Sequence, residues 1–433
     1  MEVNFYELLN EIGIDDEFLT KTAYETSLIK RQRLIKPSDI LFATCFEAIN
    51  GTASFNDIAS KIDAIGGSSV SRQAIWKKAT VPCIDFFKRV LEKCMISKIE
   101  KGGFKNQTKY KRILVQDSTI IKLPFRLFEI FSGVSNGHSK VCNARIQGVY
   151  DLISEEFIEF SIDPYSKNDL KVSADLQIQK YDLTLRDRGY FTVDEIERHI
   201  DNQADCIFRY KHRTTILDSI TEEKIDILDI LKKKNSLDMM VKLGPKSKTA
   251  VRIIGYQISE ELANNRRHKA KKENKSTPSK EYLELLSWSI YITNIPIEEA
   301  DHQAIHKFYS LRWRIEIIFK NWKSNMAFDK IHNVSKIQLE ILMLARFIII
   351  IIFSQTMYSK ARSVVKEFSK KDLSMLKLTH YLCRNPEQIN KLITGLINYP
   401  KSTHASIESI SKYCTYEKRK RTNFVELMYE IMA

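Results

Sequence analysis

Residues 181–200 read YDLTLRDRGYFTVDEIERHI. Leu183 and Leu185 alternate with polar neighbours and predict a brief strand that ends at Asp187. Gly189 permits a tight turn, and Thr192 stands where it can cap a helix over VDEIERHI. A strand that turns directly into a helix is the building unit of an α/β sheet. Asp187 then lies at the carboxyl end of a strand, where open α/β sheets place their ligands. The same residues also admit a plain loop aspartate paired with Arg186 or Arg188.

Working outward, residues 111–124 read KRILVQDSTIIKLP. Ile113, Leu114 and Val115 form one apolar run, and Ile120, Ile121 and Leu123 form another. Both predict strand, and Asp117 interrupts them. A carboxylate in a buried strand is costly unless it is paired or binds a metal. The alternative is a turn aspartate beside Ser118 and Thr119. Further strands are expected at 143–153, 157–163 and 205–211, beside those at 112–121 and 183–187, with helices at about 168–180 and 192–202.

Downstream, residues 307–325 read KFYSLRWRIEIIFKNWKSN. Tyr309, Arg312, Glu316 and Lys323 recur as Tyr-x2-Arg-x3-Glu-x6-Lys. On one continuous helix the last three fall about 60°, 20° and 40° from Tyr309, on one narrow stripe. Phe308, Ile315, Phe319 and Trp322 form the adjoining stripe, which can bury itself against a sheet. A carboxylate among cations suits metal-dependent cutting of nucleic acid: the acid holds a metal and the cations hold the strand. Taken alone, the segment also reads as an amphipathic helix with ordinary ion pairs such as Arg312 with Glu316.

Together the three segments resemble the DDE transposases of bacterial insertion sequences, most closely insertion-sequence family four. The resemblance rests on Asp117-Ser118-Thr119, on Asp187-Arg188-Gly189-Tyr190, and on the Tyr-Arg-Glu-Lys signature at Tyr309, Arg312, Glu316 and Lys323. It covers roughly residues 50 to 350 and fades at both ends. It implies an α/β ribonuclease H-like catalytic core with a mostly β insertion, plus helical N- and C-terminal regions. It also implies that Asp117, Asp187 and Glu316 are catalytic and ligate metal. Arg209 matches a basic position that contacts DNA near the active site in this group; an ordinary strand-edge cation is the alternative. Trp288 is a candidate for stacking a flipped base, with a core tryptophan as the alternative.

The expected division is a helical DNA-binding region over 1–106, core over 107–213, β-rich insertion over 214–290, core with the glutamate helix over 291–360, and a helical region over 361–433. Within the first part, SFNDIASKIDAIGGSSVSRQAIWKKAT resembles a helix-turn-helix. Its first helix is expected at Asn56 to Asp63, its turn at Gly66 and Gly67, and its second helix after a Ser71 cap. That second helix carries Arg72, Gln73, Lys77 and Lys78 as candidate DNA contacts. Gly102, Gly103 and Asn106 predict a linker. In the insertion, NNRRHKAKKENKSTPSK reads as a solvated, disordered loop that could lie along a DNA backbone. The basic stretch EKRKRTN near the end carries no readable motif.

A formal net charge of +14 over 433 residues favours a polyanionic partner. Seven scattered cysteines without a CxxC pair indicate neither a zinc site nor a disulfide framework. With an acidic N-terminus that lacks a signal-peptide pattern, the expected home is a reducing bacterial cytoplasm, at the nucleoid. ILMLARFIIIIIF, residues 341–353, is too short to span a membrane, contains Arg346, and predicts a buried core helix or strand.

Three close carboxylates repel one another until divalent cations neutralise them. Oxygen-only ligands select magnesium or manganese, and two such ions about 3.5–4 Å apart suit phosphoryl transfer. The expected activity is a transposase that nicks the terminal inverted repeats of its own element and joins the freed 3′-hydroxyl to target DNA. A homodimer on double-stranded DNA, with no membrane partner, is expected. A related nuclease that cuts without joining, or a domesticated DNA-binding protein, are the alternatives.

Overall fold

The computed structural model describes residues 9–10, 13–31, 34–51, 53–66, 69–96, 108–133, 140–167, 176–273, 277–385, 387–400, 405–417 and 423–432. The expected linker at Gly102, Gly103 and Asn106, the turn residue Gly67, and most of EKRKRTN lie outside these residues.

The chain begins with helices α1 (Asp16–Glu25), α2 (Pro37–Asn50), α3 (Phe55–Gly66), α4 (Arg72–Lys78) and α5 (Val81–Ile96). Strands β1 (Arg112–Lys122), β2 (Asn143–Asp151), β3 (Glu156–Pro164) and β4 (Asp182–Arg186) follow, then helix α6 (Val193–Asp201) and strand β5 (Asp205–Arg209). Next come β6 (Ile216–Asp218), α7 (Ile227–Lys234), β7 (Ser236–Leu243), β8 (Thr249–Gln257), α8 (Glu260–Glu273), α9 (Lys280–Leu285) and β9 (Trp288–Thr293). Helices α10 (His302–Ser310), α11 (Trp313–Asn325) and α12 (Lys336–Ile351) follow, and α12 runs through a π-helical stretch, Ile352–Tyr358, into α13 (Ser359–Ser369). The chain ends with α14 (Met375–Arg384), α15 (Glu387–Asn398), α16 (Ala405–Tyr413) and α17 (Phe424–Met432).

β1 to β5 and α6 stand where the hydrophobic pattern places them. The helix expected at 168–180 does not extend to its described part, since residues 176–179 take no regular structure. The basic run expected as a loop is instead helical as far as Glu273, within α8. Its buried residues are Ala263 and Ala270, seven apart and thus on one side. Small side chains let the helix lie close while its cations stay outside.

The strands form one mixed sheet in the order β3-β2-β1-β4-β5-β9-β8-β7-β6. β1, β4 and β5 run parallel, whereas β2 with β3 and the run from β5 to β6 pair antiparallel. Ile113, Leu114 and Val115 are all fully buried, as a central strand covered on both faces requires. The mixed sheet with its helices is compatible with a ribonuclease H-like core.

The chain divides into two compact units. One comprises residues 1–105, 118–167 and 315–426; the other comprises 106–117, 168–314 and 427–433. In the first, α12 is apolar on every side and buried, which answers the choice between core helix and strand. The continuous helix from Lys336 to Ser369 is long enough to cross a membrane, but 72% of its most apolar window is buried in protein. Arg346 on α12 is wholly buried and donates to Ala48 O at 2.9 Å, Phe328 O at 2.9 Å and Lys330 O at 2.7 Å. It thus gathers the end of α2 and the turn after α11 onto the core helix. Burial lowers its pKa to about 10, which leaves it charged at neutral pH.

Also in the first unit, α11 lies against β2 and β3. Trp322 meets Phe157 at 4.8 Å between ring centroids and Phe160 at 5.9 Å. A Cβ on Gly148 of β2 would stand 3.1 Å from both Phe157 and Phe319, so the absent side chain sets the distance of closest approach. Ile315, Phe319 and Trp322 are buried, as the expected apolar stripe requires. In the second unit, one face of β5, β9 and β8 packs Phe208, Ile290, Ile292 and Ile253 into a core with Leu231, Leu237 and Trp288.

Candidate active site

Parallel pairing of β1 with β4 sets Gln116 opposite Arg186. Asp117 is the next residue on β1 and Asp187 the first residue past β4, so the same register sets the two carboxylates side by side where β4 ends and β1 runs on to Lys122. Neighbouring strands are about 4.8 Å apart. Asp187 leaves the strand with extended backbone, its carbonyl accepts from Tyr190 N at 3.0 Å, and Arg188–Tyr190 form a 3-10 turn. Thr192 then caps α6 by accepting from Glu195 N at 3.1 Å, as expected.

Beneath this turn the fold is tied by buried charge. Arg186 is fully buried and donates to Glu195 at 2.6 Å, and Arg198 reaches the same oxygen at 2.8 Å. His199 bridges Thr184 Oγ1 at 2.7 Å and Glu195 O at 2.6 Å. Burial, reinforced by the charge of Arg186, lowers its pKa to about 3, so it is neutral at physiological pH. These contacts hold the carboxyl end of β4 to the helix that follows it.

The signature segment is not one helix. α10 ends at Ser310 and α11 begins at Trp313. Across the junction Leu311 N bonds to Phe308 O at 3.1 Å, Arg312 N to Tyr309 O at 3.1 Å and Arg314 N to Leu311 O at 2.9 Å. These bonds span three residues rather than four, so the chain tightens there. The single stripe expected from a uniform 100° step therefore does not continue from Tyr309 to Lys323.

Arg312 sits at this junction with only 6% exposure. Its Nη1 approaches Asp117 Oδ2 at 3.4 Å, and its guanidinium lies 5.7 Å from the Tyr309 ring and 5.6 Å from the exposed Trp313 ring. Tyr309 is buried, with its ring tilted on Tyr291 at 4.8 Å. Its hydroxyl finds no hydrogen-bond partner among the described residues. Burial raises its pKa well above the usual phenol range, so it remains a neutral donor. Such a buried, orphaned hydroxyl beside a guanidinium suits an anionic oxygen arriving from outside.

Glu316 lies half-buried in the first turn of α11, where helix polarity favours a carboxylate. Lys323, in the last turn, donates to Ile120 O at 2.8 Å, and burial lowers its pKa. Lys323 thus ties α11 to β1. Arg312 and Lys323 are not the exposed cations that surface spacing suggests.

The other candidates separate by burial. Arg209, at the end of β5, is half-buried and pairs across the strands with Tyr291. Trp288 is 7% exposed within the apolar core, so its ring offers no open face for a base. In the N-terminal helices, α3 extends from Phe55 to Gly66, beyond the expected Asn56 to Asp63. Ser71 caps α4 at 3.3 Å, as expected, and Arg72, Gln73 and Lys77 are exposed on it. Lys78 instead donates to Leu28 O at 3.3 Å.

Sequence reasoning passed over Tyr256, Arg266, Tyr291 and His306, which gather beside Arg209 and Tyr309. Arg266 was concealed in the basic run that reads as a solvated loop. The signal available for the two tyrosines was alternation: Tyr256 and Tyr291 point to the strand face opposite the core residues Gly255, Ile290 and Ile292.

Among the described residues, no three His, Cys, Asp or Glu side chains form a ready-made metal cage. Asp117 and Asp187 nonetheless supply oxygen donors on adjacent parallel strands, where β4 ends, which suits a hard divalent cation.

Residues 109–352 match the family model of the transposase DDE domain. The chain is similar to the transposase for insertion sequence element IS231F of Bacillus thuringiensis subsp. israelensis, 27% identical over 456 residues, covering 96% of this chain and 94% of that one. It is similar to the transposase for insertion sequence element IS231C of Bacillus thuringiensis subsp. berliner, at 28% over 453 residues, with 95% and 93% covered. The transposase for insertion sequence element IS1151 of Clostridium perfringens shares 28% over 397 residues, with 84% and 83% covered.

Proposed function

The chain belongs to the transposase DDE-domain family and is an insertion-sequence transposase, an enzyme that acts on DNA; from that premise we propose that it nicks the terminal inverted repeats of its element and joins each freed 3′-hydroxyl to target DNA. The observation that carries this reading is the register of β1 and β4, which sets Asp117, in mid-β1, beside Asp187, just past the end of β4, with Arg312 against Asp117.

Asp117, Asp187 and Glu316 would hold the divalent ions, two magnesium or manganese, and such ions would supply activation of a water or 3′-hydroxyl and stabilisation of the leaving oxygen. Glu316 enters as third ligand from the signature motif. Arg312 turns its guanidinium from Asp117 toward a phosphate oxygen, and stacking on Tyr309 and Trp313 holds its plane while it does so. Tyr309 donates its hydroxyl to the same phosphate. Lys323 keeps α11 on β1 and so positions Glu316. Arg72, Gln73 and Lys77 on α4 read or hold the terminal repeat, and a homodimer brings two ends together. The ribonuclease H-like core is interrupted by the insertion at 214–290, and the enzyme works at the nucleoid.

The test is a plasmid carrying the element with both its ends. With magnesium, wild-type protein should nick and join. Asp117→Asn, Asp187→Asn and Glu316→Gln should each lower cleavage by about 10³-fold or more while retaining end binding. Wild-type cleavage by Asp117→Asn would end the assignment. Cleavage without joining would leave a nuclease.

A further inference from the structure

The sheet face opposite the apolar core of the second unit carries a polar cluster. Arg209 on β5 faces Tyr291 on β9, and Tyr256 on β8 faces Ser289. Arg266 of α8 reaches over this face, donating to Trp288 O at 3.0 Å and Ser289 Oγ at 3.2 Å. His306 of α10 meets both tyrosines: its Nδ1 is hydrogen-bonded to the Tyr256 hydroxyl and lies 3.1 Å from the Tyr291 hydroxyl.

Tyr291 links the group: it pairs across the strands with Arg209, bonds His306, neighbours the Ser289 that Arg266 reaches, and lays its ring on Tyr309 at 4.8 Å. No carboxylate forms an ion pair with Arg209 or Arg266 among the described residues. Two half-buried guanidinium groups set together without a counter-charge repel each other. Burial and the charge of Arg209 lower the Arg266 pKa to about 10, which leaves Arg266 cationic at neutral pH. The same two causes lower the pKa of His306, which is therefore neutral near pH 7. A hydroxyl that donates to Nδ1 leaves the ring proton on Nε2, which then presents a neutral donor on the side away from the tyrosines.

We propose that Arg209, Arg266 and His306 form a second phosphate subsite, which takes a phosphodiester of the bound DNA strand beside the one held by Tyr309 and Arg312. This rests on the transposase reading above and assigns α8, with its outward lysines, to the same strand. Arg209 and Arg266 supply charge, and His306 supplies one neutral hydrogen bond.

The test uses full-length protein and a duplex carrying one element end, with affinity measured against salt concentration in the absence of divalent ions. Arg209→Gln and Arg266→Gln should each reduce the salt slope by about 0.9, and the double variant by twice that. His306→Ala should weaken binding without changing the slope. A scan that neutralises one phosphate at a time as methylphosphonate should find a position that weakens wild-type binding about tenfold and leaves the double variant unaffected. Arg266 also braces β9; if Arg266→Gln melts early, Arg209→Gln alone carries the slope test, because among the described residues its side chain makes no hydrogen bond or ion pair. An unchanged slope in folded Arg209→Gln, or a scan without such a position, overturns the subsite. Wild-type protein that does not bind the duplex would overturn the transposase reading as well. Normal wild-type binding and cleavage with unchanged slopes would overturn the subsite alone.

Discussion

Arg346 and Arg312 are both buried arginines, in separate units, and their surroundings differ in kind. Arg346 spends its nitrogens on three main-chain carbonyls. Arg312 lies against two aromatic rings and the carboxylate of Asp117, whose side chain is 21% exposed. A guanidinium bound to carbonyls serves the fold, because it satisfies main-chain acceptors inside the core. A guanidinium held by ring faces and a site carboxylate can exchange that carboxylate for a phosphate. Burial alone therefore does not distinguish structural from functional charge; the partner does.

The largest expected effects set these two residues against each other. Arg346→Met should cost roughly 3–5 kcal/mol, since it orphans three carbonyls inside the core. Thermal melting should fall sharply, with loss of activity following unfolding. Arg312→Ala should leave melting within about 1 kcal/mol of wild type, because Asp117 can turn to water, yet lower cleavage about 100-fold or more. Melting and single-turnover cleavage measured on the same preparations decide it. A stable Arg346→Met, or an Arg312→Ala that unfolds, would remove the distinction.

The parts of the site that were legible in sequence are those built from local signals. The strands around Asp117 and Asp187, the Thr192 cap and the apolar stripe of α11 each follow from a few neighbouring residues. The break at Leu311–Arg312 was not legible, because a 3-10 junction uses the same residue types as the helices it joins. The basic run was misread for a different reason: α8 buries only alanines at Ala263 and Ala270, so no large apolar period announces a helix. Trp288 could not be placed because β9 joins β5 through pairing across some eighty residues. The spent donors of Lys78 and Lys323 belong to tertiary contacts that spacing does not encode.

A smaller effect tests the supporting side of the comparison through pH. His199 is buried neutral, with its folded pKa lowered to about 3 by burial and by Arg186. An unfolded histidine titrates near about 6.5. Its contribution to stability is therefore full above the unfolded value and is lost as pH falls toward the folded one. Wild-type stability should decline through that window, on the order of a few kcal/mol in all, and be read as a falling melting temperature. His199→Gln should flatten the decline while leaving neutral-pH DNA affinity unchanged. A variant with the same acid slope as wild type would assign the acid sensitivity to other groups.

The smallest effect concerns distance rather than charge. Gly148 lets the edge of Phe319 approach β2, and Phe319 stands one helical turn after Glu316 on α11. In Gly148→Ala the new methyl would meet both Phe157 and Phe319 at 3.1 Å, closer than ring carbons tolerate. Overpacking of this kind costs about 1–3 kcal/mol, relieved in part by movement of the neighbours. A shift of α11 carries Glu316 with it and leaves Arg209, Arg266 and α4 in place. Cleavage should then fall several-fold with DNA affinity unchanged, and Gly148→Ala with Phe319→Leu should recover much of both stability and cleavage, since the smaller side chain vacates the contested space. Recovery would tie the loss to the position of the glutamate helix. A double variant that melts and cleaves no better than Gly148→Ala would show that the glycine matters through the strand itself.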